Sequence, residues 1–383
     1  MIITVNPKEF AAAVATVATS VPGRPAIPIL GAVVLEPTEK RLRLSSYDFE
    51  QSTRVECDAT TEDPKRVAVS GRLLQTIAKV LPVRRDVEIT LAPNGSRLVV
   101  ASGATEFTLP TLEVEDYPEL PTAPVAVGSV ETSVLADAIV RAGHAAEREE
   151  GTMRTKTNCV QLVGLGDGTM TVTAVSHHRL ATVDVPWTPE AADSDPIAFL
   201  VPAGQLTALA RTWESQTSAL RTNAAQSVFG VSETGHETTS SVLDDQFPNW
   251  ERLLPKQYAA TVVVDPAEIA EVLDRAAKVA EKAPFIDMNF EEDTAEIVVD
   301  DSIRDSFDIT MHGDQSLAFR VNAGLLLESL RTVGGSRVTL AFDATRRMVV
   351  LHADEVEDGP APSTGYRVVV MGGAQRPAAG AAV

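Results

Sequence analysis

The segment Asp244–Pro255, DDQFPNWERLLP, constrains this chain more than any other stretch, because it has an echo. An acidic pair leads into an aromatic–proline step, and the run ends in Leu-Leu-Pro. About 130 residues earlier, Glu115–Pro121 reads EDYPELP, with Tyr117-Pro118 where the later copy has Phe247-Pro248. Each copy follows a strand-like segment, Thr105–Leu109 or Thr238–Leu243. Each precedes an alternating run, Val125–Val130 or Ala260–Val264. A residue before proline is pushed towards extended backbone, so each copy can carry the chain out of one folded unit and into the next.

Further echoes support this reading. Phe10–Val21, Leu135–Ala146 and Ile269–Ala280 place apolar residues at three- and four-residue steps, as amphipathic helices require. The first and third open on Pro7 and Pro266, each preceded by a capping residue, Asn6 or Asp265. Ser70–Leu81, Pro202–Trp213 and Asn322–Val333 form a second helical set. Corresponding segments start about 125 residues apart, far beyond a solenoid period and the size of a whole domain. Between them, segments such as Arg41–Ser46, Val87–Leu91, Arg97–Ser102, Thr169–Ala174, Ser227–Val231, Glu296–Val299 and Arg337–Phe342 read as strands separated by Gly, Asn and Asp turns. The expected fold is α+β: three tandem domains, each of two helices on antiparallel strands, at 1–122, 123–256 and 257–373. The small residues of 374–383 have no period and read as a disordered tail.

Composition narrows the function. A chain of 383 residues with 44 % hydrophobic and only 5 % aromatic content has material for several cores built of Val, Leu, Ala and Ile. Cys57 and Cys159 have no metal-like spacing and fit inert buried thiols in a reducing cytoplasm. The N-terminus lacks a basic region followed by an apolar one, and no apolar run approaches the length of about 18 residues that spans a membrane. Phosphate-loop, nucleophile-elbow, zinc-protease and paired-cysteine motifs are all missing, so no catalytic residue, metal or cofactor is expected. Gly164–Gly168 reads as a β-turn. His177-His178, placed on a strand, would point to opposite faces and suit packing or surface roles. The acidic runs Glu291–Asp293 and Asp354–Asp358 read as solvated turns.

A net charge of −20 argues against holding nucleic acid by bulk attraction. The distribution is more telling. Taken as 7–19, 71–81, 131–146, 203–214, 266–280 and 323–334, the six helical segments carry eight basic and eight acidic residues, so the negative charge lies on strands and loops. If the helices share a face, that face is far less acidic than the rest, and Arg24, Arg84 and Arg85 in loops can add to it. Such a distribution suits a protein that surrounds a polyanion without gripping it.

These residues bring the chain to a known family. Arg24–Gly31 (RPAIPILG), Ser46–Glu50 (SYDFE), Thr105–Pro121, His178–Ala181 (HRLA) and Phe247–Pro255, in this order on a three-fold repeat, resemble the bacterial DNA polymerase III β subunit, the sliding clamp. The resemblance runs from Met1 to about Gly373. It implies a homodimer of two chains joined head to tail in a ring of six domains, with helices lining the hole and sheets forming the outer wall. It implies a non-catalytic processivity factor that encircles double-stranded DNA without reading sequence. The basic residues expected to face DNA are Arg24, Arg72, Lys79, Arg141, Lys156 and Arg211.

The resemblance also implies a groove for short linear peptides of the DNA polymerase III α subunit, the clamp loader and repair proteins. Its matches are Arg154, His178, Arg179, Leu180, Pro248, Arg252 and Leu253. Several positions depart from the family. Val175-Ser176-His177 stands where Thr-Asp-Gly is usual, Thr157 replaces an apolar groove residue, and Ala323 replaces a tyrosine. Met371-Gly372-Gly373-Ala374 replaces Met-Pro-(Val/Met)-Arg, so the expected groove is looser and its ligands weaker. Lys278 stands at a dimer-interface position that is usually apolar. A second reading follows from these departures: a specialised clamp paralogue, serving repair or inhibitor resistance, with altered partners.

Overall fold

A computed structural model describes residues 1–121, 124–147, 155–191, 195–279, 285–299, 303–343, 345, 347–353 and 365–373. Asp354–Asp358, Arg154 and the segment 374–383 therefore lie outside the described residues. Six helices appear among those described: α1 (Pro7–Val17), α2 (Gly71–Val80), α3 (Thr132–Gly143), α4 (Ala203–Ala210), α5 (Pro266–Val279) and α6 (Ala323–Val333). The order strand, helix, three or four strands, strand, helix, three strands recurs three times along the chain. The contacts divide the chain into two compact units, and the second repeat contributes to both.

The first unit holds Met1–Ser133, Trp187–Asp195 and Ala208–Leu243. Its main core packs Phe10, Val14 and Val17 of α1 and Leu74, Ile77 and Ala78 of α2 against strand residues such as Leu42, Leu44, Ile89 and Val100. Each such side chain contributes roughly 1.5–3 kcal/mol on burial. The helices start where cap chemistry dictates. Asn6 Oδ1 accepts from the Lys8 and Glu9 amides, and Ser70 Oγ accepts from Leu73 N. The strand Gln51–Glu62 of the first repeat pairs antiparallel with His236–Ser241 of the second, setting Ser52 opposite Thr239.

The second unit holds Val134–Pro186, Pro196–Thr207 and Asp244–Val383. Here Arg179–Pro189 of the second repeat pairs antiparallel with Arg367–Met371 of the third, setting Leu180 opposite Val369. Asp265 Oδ1 caps α5 through Ala267 N and Glu268 N, and Asn322 Oδ1 caps α6 through Leu325 N. Helices α5 and α6 pack over a four-stranded sheet of Phe285–Glu291, Thr294–Val299, Ile303–Asp308 and Ser316–Asn322. Gly164–Gly168 is a turn, as expected: Gly168, at φ +90°, donates its amide to the Leu165 carbonyl at 3.3 Å. Glu291–Asp293 likewise turns the chain between two paired strands.

Candidate peptide-docking groove

The groove is built where the linker Asp244–Pro255 crosses the strand pair of the second unit. Val175 and Leu180 from the second repeat and Ala341, Val350 and Val369 from the third form one buried apolar cluster. Phe247, Trp250, Leu254 and Met348 pack on it, half-buried. The residues 250–253 tighten into a single 3₁₀ turn, which leaves Arg252 and Leu253 outside. Leu253 is 47 % exposed and Met371 37 %, so the cluster has an uncovered apolar rim. Pro248 lies half-buried beside them.

Polar groups surround this rim. His177 and His178 are not on a strand, as the sequence suggests, but at the tip of the hairpin between Thr169–Val175 and Arg179–Pro189. Ser176 makes that turn, its Oγ accepting from Arg179 N at 3.2 Å and its amide donating to the Arg179 carbonyl at 2.8 Å. The His178 carbonyl accepts from Met371 N at 2.9 Å. His177 pairs through Nδ1 with Glu147, a residue no sequence pattern singles out. Glu147 also accepts from Thr157 Oγ1 at 2.9 Å and His177 N at 3.3 Å. The His177 contact leads the interactions that hold this carboxyl below its ordinary range. Thr157 is thus fixed by a carboxylate rather than presented as an apolar wall.

The remaining expected residues are not all free. Arg179 donates from Nη1 to Glu328 of α6 at 2.7 Å, and its buried Nε has no partner among the described residues. Lys156 lies 3.9 Å from Asp245 of the linker. Ala323 is 1 % exposed, at the start of α6. Gly372 and Gly373 differ from the loose segment expected. Their amides donate to the carbonyls of Arg347 and Arg320 at 2.7 and 2.8 Å. A Cβ on Gly372 would meet Phe319 at 2.9 Å, and one on Gly373 would meet Phe285 at 2.8 Å. The aromatic rings that fill this space explain why residues without side chains stand there.

The basic residues expected to face DNA fall into two sets. Arg24, Arg72, Lys79 and Arg211 are exposed, and no ion pair engages them among the described residues. Arg141 is engaged: Nε lies 2.8 Å from Asp137, and the guanidinium sits 5.4 Å above the ring centroid of Tyr366. Tyr366 donates to Thr332 Oγ1 of α6 at 2.7 Å, and burial pushes its phenol up. Beside it, His144 Nδ1 bonds the Arg141 carbonyl, and burial drives the imidazole down to about 4, so it is neutral.

The family models described as the N-terminal, central and C-terminal domains of the DNA polymerase III beta subunit match residues 1–121, 129–249 and 251–359. The chain belongs to the DNA polymerase III beta subunit family. It is 32 % identical over 380 residues to the beta sliding clamp of Streptomyces coelicolor, covering 97 % of this chain and 98 % of that protein. It is 28 % identical over 378 residues to the beta sliding clamp homolog GriR of Streptomyces muensis, covering 96 % and 97 %. Among solved structures, a beta-subunit sliding clamp of Pseudomonas aeruginosa bound to griselimycin superposes with a TM-score of 0.85 at 24 % identity, covering 98 % and 100 %. The fold is therefore three tandem clamp domains. Among the described residues no helix is long and apolar enough to cross a membrane.

Proposed function

We propose that this chain is a DNA sliding clamp. Two copies close a ring around duplex DNA and tether DNA polymerase III to its template, with no active site of their own. The observation that carries the ring is a pairing rule within the chain. The fourth strand of the first repeat (Gln51–Glu62) pairs with the last strand of the second (His236–Ser241). The fourth strand of the second (Arg179–Pro189) pairs with the last strand of the third (Arg367–Met371). One fourth strand and one last strand are left over, Ile303–Asp308 and Thr105–Leu112. Ile303–Asp308 pairs with one strand only among the described residues, and Thr105–Leu112 meets a second strand only at Thr111 and Leu112, opposite Val69 and Ala68, so its open edge runs over Thr105–Pro110. Applied once more, the rule pairs Ile303–Asp308 of one copy with Thr105–Leu112 of another, and the reciprocal pairing closes the assembly.

Exposed apolar side chains accompany the free edges: Leu73 and Val80 on α2, and Val279 on α5. Lys278 is occupied by Asp274 at 2.6 Å on its own helix, which keeps its charge from facing a partner unpaired. The clamp domains of this reading run 1–122, 123–256 and 257–373. In the ring, Arg24, Arg72, Lys79 and Arg211 supply weak, sequence-independent contacts to phosphates, and retention comes from topology rather than affinity. The groove takes a short peptide of the polymerase α subunit, the loader or a repair protein. The apolar side chains of that peptide cover Leu253 and Met371, while Arg252 is placed to meet its carbonyls or an acidic residue.

The test is retention on DNA. Protein loaded on a closed circle is expected to stay, and to fall off when the circle is cut. Light scattering at micromolar concentration is expected to give the dimer mass. Equal retention on cut and closed circles, or a monomer only, would overturn the ring.

A further inference from the structure

The two joins between repeats share one strand register. Four residues before α2, α4 and α6 stand Val67, Phe199 and Phe319, paired with Leu35, Leu162 and Met288. Those three pair in turn with Leu44, Val172 and Ile297 on the next strand, and these with Val55, Val183 and Asp305 on the fourth. The same holds ahead of α1, α3 and α5, where Ile3, Gly128 and Val262 pair with Ile89, Leu220 and Leu340. That ladder continues through Val100, Val231 and Leu351 to Phe107, Thr238 and Val368 on the last strands. Each set of three therefore occupies equivalent positions in the three repeats.

In the first join Thr53, two residues before Val55, faces Thr238. In the second Ala181, two residues before Val183, faces Val368, so the joins agree residue for residue. The same register across the open edges sets Ile303, two residues before Asp305, opposite Phe107 of another copy. Arg304 then stands opposite Glu106, and Asp305 opposite Thr105. The side-chain faces agree with this register, because facing residues of antiparallel strands point to the same side of a sheet and neighbours along a strand to opposite sides. Phe107 packs against the core that holds α1 and α2, so Glu106 points away from those helices. Asp305 turns towards α5 and accepts from Arg275 at 2.9 and 2.6 Å, so Arg304 points away from α5. A slip of one residue would set an outward side chain against an inward one.

At this position the first join already holds an ion pair: Arg54 and Glu237, the equivalents of Arg304 and Glu106, lie 2.9 Å apart. The open edges carry the same two signs. Glu106 is exposed, and Arg304 is exposed with Nη1 donating to Glu296 of the neighbouring strand at 3.0 Å. We propose that Arg304 pairs with Glu106 of a second copy at both interfaces of the ring, and that this pair fixes the closing register. Like charges set directly opposite each other across a strand pair are unfavourable. The pair therefore also selects a second copy of this chain over a clamp chain that brings an acidic residue to Arg304 or a basic one to Glu106. The inference rests on the ring reading and adds to it the residues that decide which chain closes the ring.

The test is sedimentation equilibrium on the full chain at low salt. Arg304→Glu and Glu106→Arg each set like charges opposite one another at both interfaces, and each is expected to raise the dimer dissociation constant at least about fivefold. An equimolar mixture of the two single variants is expected to recover the parental constant, because each interface of the mixed dimer then sets one arginine against one glutamate. The Arg304→Glu/Glu106→Arg double variant should recover it as well, which measures the coupling between the two positions. Recovery in the mixture also shows that both single variants are folded. Single variants that dimerise like the parent, or a mixture no tighter than its components, would overturn the pair while a dimeric parent leaves the ring in place. A parent chain that stays monomeric would overturn both.

Discussion

Two strand pairs join successive repeats in this chain, with the same antiparallel geometry and opposite chemistry. Where Gln51–Glu62 meets His236–Ser241, the facing residues are Ser52 and Thr239, whose hydroxyls lie 2.7 Å apart and buried. Arg54 pairs with Glu237 at 2.9 Å and donates to the Pro121 carbonyl at 3.0 Å. The linker residue Tyr117 is pinned by its hydroxyl, which accepts from Tyr47 N at 2.6 Å. Where Arg179–Pro189 meets Arg367–Met371, Leu180 faces Val369, and the linker residue Phe247 only packs. In the polar join, Ser52 and Thr239, and Arg54 and Glu237, already hold one another in fixed geometry, which leaves them little to offer a ligand. An apolar join is non-directional and can be extended by any apolar side chain that fits. That difference makes one linker a closed seam and the other a place to dock.

The sharpest way to break the comparison is a charge in the apolar join. Leu180 is 3 % exposed within the apolar cluster, so Leu180→Asp is expected to cost about 3–5 kcal/mol as an uncompensated buried charge. The urea midpoint of unfolding measures it. An unchanged midpoint would mean that the cluster is open to water and not a core.

Acid is expected to act on the apolar side through His144. Burial lowers this imidazole to about 4, against an ordinary value of about 6.5, so between these pH values the folded state binds fewer protons than the unfolded chain. The stability that depends on neutral His144 is complete above about pH 6.5 and is lost as pH falls towards 4, by at most about 3 kcal/mol. Urea midpoints at pH 7.5 and 5 should differ less in His144→Gln than in the parent chain. Identical pH profiles for the two would remove His144 from the account.

The rim separates docking from folding. Leu253→Asp and Met371→Asp change exposed positions, so stability should move by less than about 0.5 kcal/mol. Affinity for a polymerase-derived peptide should fall at least about tenfold, because a few apolar anchors carry most of the binding of a short ligand. Calorimetry that shows unchanged affinity would move the docking site elsewhere.

The reach of the sequence follows the range of the physics. Asn6, Asp265, Ser70 and Asn322 mark helix starts because capping is a contact over two or three residues. The linker echo marks the joins because proline restricts its neighbour locally. Alternation alone puts His177 on a strand, because it does not register the side-chain bond by which Ser176 ends that strand. Glu147 carries no signal in the sequence, because it meets Thr157 and His177 only through folding. Gly372-Gly373 suggested freedom, and only Phe285 and Phe319 show that the space is full. The Ser and Thr residues of the polar join carry no periodic signal that tells a buried hydroxyl ladder from an exposed one.

The smallest expected effect has an unusual sign and tests whether the polar join is fully self-satisfied. Gln51 opens that join opposite Ser240 and is 1 % exposed, yet neither Oε1 nor Nε2 has a partner among the described residues. Desolvating an amide without replacing its hydrogen bonds is unfavourable, whereas an apolar side chain of similar length has no such requirement. Gln51→Met should therefore raise stability, by about 0.5–1 kcal/mol, while Ser52→Ala at the next residue should lower it by about 1 kcal/mol through the stranded Thr239 hydroxyl. Opposite signs at adjacent positions, read as urea midpoints, would show that the join owes its stability to particular bonded pairs and not to polarity as such. If Gln51→Met instead lowers the midpoint as much as Ser52→Ala does, the amide is bonded in solution, and the polar seam is satisfied along its whole length.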